Sequence, residues 1–161
     1  MHILPRAGWS ALLLALLLAS CAQPGAAPSR NPGTPNDELV LTKSPTCTCC
    51  SGHEAYLRDA GMRVRVVLAE NIADVKDEYG IPADMRSCHT SVIAGYFVEG
   101  HVPLAAIEQL LRERPDLDGI ALPGMPAGAP GMGGVLAGPL TVYGIKGRPG
   151  GGRIRRLLAD R

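Results

Sequence analysis

Three cysteines fall within four residues at Cys47-Thr48-Cys49-Cys50, and another stands at Cys88. A structural cysteine packs as a small apolar group and has no reason to cluster, so this grouping points to thiol or soft-metal chemistry. Cys47 and Cys50 have the Cys-x-x-Cys spacing of thiol–disulfide exchange, and at a helix N-terminus unpaired backbone N–H groups favour the thiolate. Cys49 is awkward in such a motif, because a third thiol offers competing disulfides and Cys88 offers more. A soft cation accepts the same excess: thiolates suit Cu(I), zinc and iron–sulfur centres, and closely spaced thiolates bridge several Cu(I) ions. Adjacent cysteines fit one tetrahedral zinc less well, since its usual knuckles are spaced Cys-x2–4-Cys. A shared Cu(I) site on Cys47, Cys49, Cys50 and Cys88 is the expectation. Exchange through Cys47 and Cys50 and a structural zinc module remain the alternatives.

Other side chains bear on that choice. Met125 and Met132 lie in a Gly- and Pro-rich stretch without helical or strand spacing, and thioether sulfur is a soft ligand for Cu(I) with little to offer zinc or exchange. They are candidate ligands, with core packing as the alternative, whereas Met62 and Met85 read as core residues. His89, beside Cys88, is either a ligand or neighbour of the site or a turn hydrogen-bonder. His53, one turn beyond Cys49 and Cys50, reaches the site or stands solvated on its helix, and His101 reads as structural or surface. No nucleophile-elbow pattern accompanies the Ser, His and Asp residues, and there is no Walker-type phosphate loop. No turnover of a substrate is required by these residues.

The elements that must position these side chains follow from periodicity and punctuation. Residues 38–43 read as a first strand, Ser44-Pro45-Thr46 as the turn into the cysteines, and 51–60 as a short helix ended by Gly61. Residues 62–68 alternate charge with apolar bulk and predict a second strand. Asn71 caps a helix carrying Ile72, Val75 and Tyr79, closed by Gly80 and Pro82. Ser87-Cys88-His89-Thr90 is a polar turn before 91–99, which forms one bent strand or a tight pair. Pro103 opens a helix whose Ile107, Leu110 and Leu111 make a buried stripe. Residues 120–140 read as a long loop of the kind that is usually functional or disordered, and 140–145 as a last strand. The basic end at 153–156 reads as a solvated tail. The order β-α-β-α-β(β)-α, with cysteines between the first strand and first helix, predicts an α/β thioredoxin-like fold, a small mixed sheet flanked by helices.

The N-terminus carries an address. Arg6 precedes the apolar run 11–19, too short for the roughly 20 residues of a membrane span and suited to a secretory signal over 1–20. Leu18-Ala19-Ser20-Cys21 resembles a bacterial lipobox, which would make Cys21 the lipidated first residue. Residues 21–36 contain Pro24, Pro28, Pro32 and Pro35 and read as a tether, reaching on the order of 50 Å when extended. Residues 37–161 then form one domain, in a protein held in the periplasm by a lipid anchor in the outer membrane. Losing Arg6 turns 16 basic against 15 acidic residues into an even balance, with no basic excess for nucleic acid. Export also places the thiols where oxidation is favoured.

Taken together these residues resemble the bacterial thioredoxin-like CopG-type copper-resistance proteins, a domain long catalogued as of unknown function. The resemblance runs from about Leu39 to Ile145. It is carried by Cys47-Thr48-Cys49-Cys50, Ser87-Cys88-His89-Thr90, Gly95-Tyr96 through Glu99-Gly100-His101-Val102-Pro103, Glu113-Arg114-Pro115, and Pro123-Gly124-Met125-Pro126 with Gly131-Met132. It implies an exported copper-binding domain whose Cys47, Cys49, Cys50 and Cys88 hold Cu(I), as a sulfur-bridged multinuclear cluster, in copper resistance. It also implies a periplasmic copper donor or acceptor as partner. The family usually has a Trp and a His in the helix after the cysteines, where this chain has His53 and Tyr56.

Overall fold

The computed structural model describes residues 37–147 together with the backbone of a strand at Arg153–Ala159. The expected signal segment, Cys21 and the tether lie outside the described residues. Five-residue runs form β1 (Leu39–Lys43), whose burial alternates, and β2 (Val64–Leu68), which is buried only at Val64, and the two are joined by α1 (Thr48–Asp59). The α1 helix begins earlier than its sequence suggested, so Cys47 occupies the N-cap and Cys49 and Cys50 lie in the first turn. Its exit is set by Gly61, at φ 89°, a conformation that costs a side-chain-bearing residue about 1–2 kcal/mol.

Next come α2 (Ile72–Glu78) and a single 3-10 turn at Ala83–Met85. The Asn71 side chain caps α2 by accepting from the Ala73 N–H, as its sequence position predicted. Residues 91–99 resolve into a tight pair, β3 (His89–Ile93) and β4 (Tyr96–Glu99), turned at Ala94 and Gly95 with both φ values positive. Helix α3 (Leu104–Glu113) starts after Pro103, which offers no side-chain cap. The Tyr56 hydroxyl of α1 accepts from the Leu104 N–H at 3.0 Å instead, satisfying one orphan donor and tying the two helices together.

The strand order is β2-β1-β3-β4, with β1 parallel to β2, β3 antiparallel to both β1 and β4, and α3 following β4. This is the thioredoxin-like α/β arrangement expected from the sequence. Three further strands extend the sheet: β5 (Gly119–Ala121), β6 (Thr141–Lys146) and β7 (Arg153–Ala159). Two expectations change here. The Gly- and Pro-rich loop begins only after β5, a three-residue strand pairing parallel to β4. The basic end pairs its backbone antiparallel to β6, covering what would otherwise be an open sheet edge.

Alternation along the strands divides the apolar residues. Leu39, Leu41, Ile93, Val98, Ile120 and Val142 pack with Leu57 of α1 and with Ala106, Ile107, Leu110 and Leu111 of α3. Phe97, Ala121 and Ile145 pack with Ile81 and Met85 on the other face. Among the described residues no helix is long and apolar enough to cross a membrane.

One ionic group is buried in this frame. Glu99, fully buried at the end of β4, accepts from Lys76 Nζ of α2 at 2.5 Å, from the Ser87 N–H at 2.6 Å and from Thr90 Oγ1 at 2.6 Å. Lys76 Nζ also donates to Thr90 Oγ1 at 3.0 Å. Removing one member of such a pair leaves an uncompensated buried charge. Lys76→Met is expected to cost about 3–5 kcal/mol, and Lys76→Met/Glu99→Leu to recover much of that loss. Urea denaturation of the three proteins checks this; an equal cost for the single and double variants would contradict it.

Candidate metal centre

The four cysteines converge from two segments. The turn Ser44–Thr46 delivers Cys47 to the head of α1, where the Cys47 N–H donates to Ser44 O at 3.1 Å. Helical spacing then stacks Cys49 and Cys50 above it. Cys88 arrives from the turn before β3, held because Glu99 binds the preceding Ser87 N–H. The sulfurs of Cys47, Cys49, Cys50 and Cys88 all lie within 4.8 Å of one another. Cys49 Sγ stands 3.5 Å from Cys47 Sγ and 3.8 Å from Cys88 Sγ. Two sulfurs bound to one tetrahedral ion with bonds of about 2.3 Å sit roughly 3.8 Å apart, so the spacing fits a shared cation.

Cys47 and Cys50 are joined as a disulfide, while Cys49 and Cys88 are free thiols, both half-buried. In this oxidised form two of the four sulfurs are withdrawn from thiolate coordination. The Cys88 thiol is pushed up to about 11, first by burial and then by the neighbouring Cys49, so at neutral pH it carries its proton until a cation displaces it. Beside the cluster, the nearly buried Lys43 sets its ammonium against Cys47 O at 3.4 Å and Ser51 Oγ at 2.5 Å, a cationic neighbour that its strand position concealed.

All three described histidines gather behind Cys88. His53 is buried on α1, not solvated, because Cys50, His53 and Leu57 share the inward stripe of that helix. His101 is likewise fully buried, with its Nε2 3.2 Å from Cys88 Sγ. Of the two readings of its turn position, structural or surface, burial removes the second, and the residue stands beside the distal thiol. His89 Nδ1 stands 3.3 Å from the same sulfur. The aromatic rings lie 4.9–5.1 Å apart, centre to centre.

Backbone carbonyls assign the ring tautomers, since a carbonyl can only accept. Val102 O lies 3.0 Å from His53 Nε2, which must therefore donate. His53 Nδ1 is then an acceptor, and His89 Nε2–H donates to it at 2.9 Å. His89 Nδ1 is left with a lone pair facing Cys88. Pro130 O takes the proton of His101 Nδ1 at 2.7 Å, leaving a lone pair on His101 Nε2 that also faces Cys88.

The loop methionines take different places. Met125 is 57% exposed, and Met132 packs against the core shared by α1 and α3. The loop meets the site through its backbone. Gly131 lies so tightly against Gly52 and His53 that a Cβ on either glycine would collide with the other segment, and Gly124 O accepts from Ser87 Oγ.

Burial holds all three imidazoles neutral. His53 is lowered to about 4, by burial first and against the opposing Val102 hydrogen bond, and His89 is lowered in the same direction by burial and its two histidine neighbours. A base with a depressed folded pKa binds fewer protons folded than unfolded between its two values. Its contribution to stability is thus complete above about pH 6.5 and is lost as pH falls towards 4, by about 3 kcal/mol for His53. Urea midpoints of the metal-free protein should fall across that window; a flat profile would contradict the buried neutral assignment.

Comparison with known proteins places this geometry. Residues 85–132, which carry Cys88, His89, His101 and Met132, match a family described as "Protein of unknown function, DUF411". No protein of curated function matches the sequence. Among solved structures the chain is similar to "Copper resistance protein copG- Form 2", at 38% identity and a TM-score of 0.70, covering 78% of this chain and 98% of that one. It is also similar to "Copper resistance protein copG- Form 1", at 39% identity and a TM-score of 0.68, covering 76% and 95% of the two chains.

Proposed function

We propose a function from one premise: the chain belongs to the family of the copper resistance protein CopG. In our reading its cargo is Cu(I), held by Cys47, Cys49, Cys50 and Cys88 once the Cys47–Cys50 disulfide is reduced, and its role is copper resistance. The observation that carries this is the convergence of four sulfurs within 4.8 Å. A purely redox motif has no use for Cys49 and Cys88, whereas soft univalent copper favours a thiolate-rich donor set. Bridging sulfurs would let these residues hold more than one Cu(I) as a cluster. Met125 and Met132 fit less well as ligands, one being exposed and the other packed on the core.

We further propose that residues 1–20 are a signal, that Cys21 carries a lipid, and that residues 21–36 tether the domain to the outer membrane on the periplasmic side. From there it would exchange copper with a periplasmic donor or acceptor. Reduced, anaerobic protein should bind more than one Cu(I) per chain, and Cys49→Ser should sharply lower that number, as read by copper analysis with a thiol count. A stoichiometry of one, or indifference to Cys49, would sink the multinuclear site.

The Cys47–Cys50 disulfide at the head of α1 favours a second reading, thiol–disulfide exchange. That activity would survive Cys49→Ser and Cys88→Ser and vanish with Cys47→Ser, in an assay of catalysed disulfide reduction.

A further inference from the structure

The four-sulfur cluster leaves the nitrogens behind Cys88 without a role. The sulfur of Cys88, Nδ1 of His89 and Nε2 of His101 lie within 4.8 Å of one another, with the two nitrogens 3.3 and 3.2 Å from the sulfur. Both nitrogens carry lone pairs aimed at one thiol. That thiol has a single proton, so it can satisfy only one of them, and the other faces it as acceptor to acceptor. Both histidines are fully buried, where an unmatched acceptor is costly.

We propose that Cys88 Sγ, His89 Nδ1 and His101 Nε2 form a second metal position, for a divalent cation of borderline softness such as Zn(II), sharing Cys88 with the thiolate cluster. One cation replacing the thiol proton satisfies both lone pairs and the sulfur together. Bonds of about 2.0–2.1 Å to nitrogen and 2.3 Å to sulfur put N and S roughly 3.5–3.6 Å apart at the tetrahedral angle, so the side chains, 3.3 and 3.2 Å apart without an ion, need open by only a few tenths of an ångström to admit one. Each imidazole already donates its other N–H, His101 to Pro130 O and His89 to His53 Nδ1, the outer contact that orients ligating histidines in metal sites. Three ligands leave one position open, and Cys88, the half-buried member, is the side from which a cation enters.

This position does not depend on the copper reading. Its ligands include neither Cys47 nor Cys50, so joining those two sulfurs, which dismantles the four-thiolate set, leaves it whole. The two sites therefore answer to different conditions: the reduced protein offers sulfur to a soft univalent ion, and the oxidised protein offers two nitrogens and a sulfur to a divalent one.

The test uses the oxidised protein, with Cys47 and Cys50 joined, titrated with Co(II) as a spectroscopic probe and then with Zn(II) as competitor. The expected result is one Co(II) per chain, a sulfur-to-cobalt charge-transfer absorption, paramagnetically shifted ring protons of His89 and His101, and displacement by Zn(II). His101→Ala should weaken binding about tenfold or more, with retention of the thermal transition establishing that it folds. Absence of Co(II) binding, cobalt bound without the sulfur band or the histidine shifts, or a folded His101→Ala binding as tightly as the parent would each overturn the proposal. The shifts are read on the unmutated protein, so a misfolded variant does not remove the test. Failure here leaves Cu(I) binding by the reduced protein untouched, and the reverse also holds.

Discussion

The four-cysteine cluster depends on a buried carboxylate that never touches it. Glu99 gathers Lys76 from α2, the Ser87 N–H from the turn before β3, and Thr90 from β3 itself. Taking an ammonium and a carboxylate out of water is unfavourable unless the remaining lone pairs and protons find partners, and here they do. The consequence is positional. Ser87 cannot move without taking a donor from the buried Glu99 carboxylate, so Cys88 is presented to the head of α1 at a fixed point. Hydrophobic packing holds α1 and α3 on one face of the sheet; the polar knot on the other side sets where the distal thiol meets them.

Much of this could be read from residue order. Alternation marked β1, β2 and the β3–β4 pair, Asn71 marked the start of α2, and the clustering of Cys47, Cys49 and Cys50 with a distant Cys88 marked the chemistry. His53 was legible too, since its spacing from Cys50 and Leu57 sets it on the inward stripe of α1; its polarity obscured that pattern. His101 was different. Its burial comes from the Pro130 carbonyl and the Cys88 sulfur closing over it, contacts between segments far apart in the chain. Strand β5 was hidden because three residues carry no period, and because Gly119 is there for contact: a Cβ would strike Phe97. The Gly- and Pro-rich loop drew notice for its thioethers, but it reaches the site through backbone atoms, which any residue type supplies.

The centre also separates two kinds of ligand by direction. Sulfur lies towards the head of α1, while nitrogen lies behind Cys88, towards the core. Val102 O and Pro130 O, both main-chain groups, fix which ring nitrogens bear protons. The imidazoles are thus preorganised by the fold, with no carboxylate among the described residues hydrogen-bonded to them, and burial keeps them neutral. Such rings present lone pairs at a fixed place, the condition under which ligands lose little entropy on binding.

The two halves of the cysteine cluster are brought together by the antiparallel pairing of β1 with β3, in which Lys43 faces His89. Until that non-local pairing forms, Cys47, Cys49 and Cys50 are neighbours by sequence alone and Cys88 is a distant chain segment, whose approach carries the entropy cost of closing a long loop. A newly made chain therefore possesses a local three-thiol motif before it possesses the four-sulfur cluster. A cation captured at that stage would meet an incomplete ligand set, without Cys88 or the histidines behind it. On the proposed function, the order of chain assembly thus decides which ligands a cation would meet, and reduced thiols must outlast the folding of the sheet for the complete set to form.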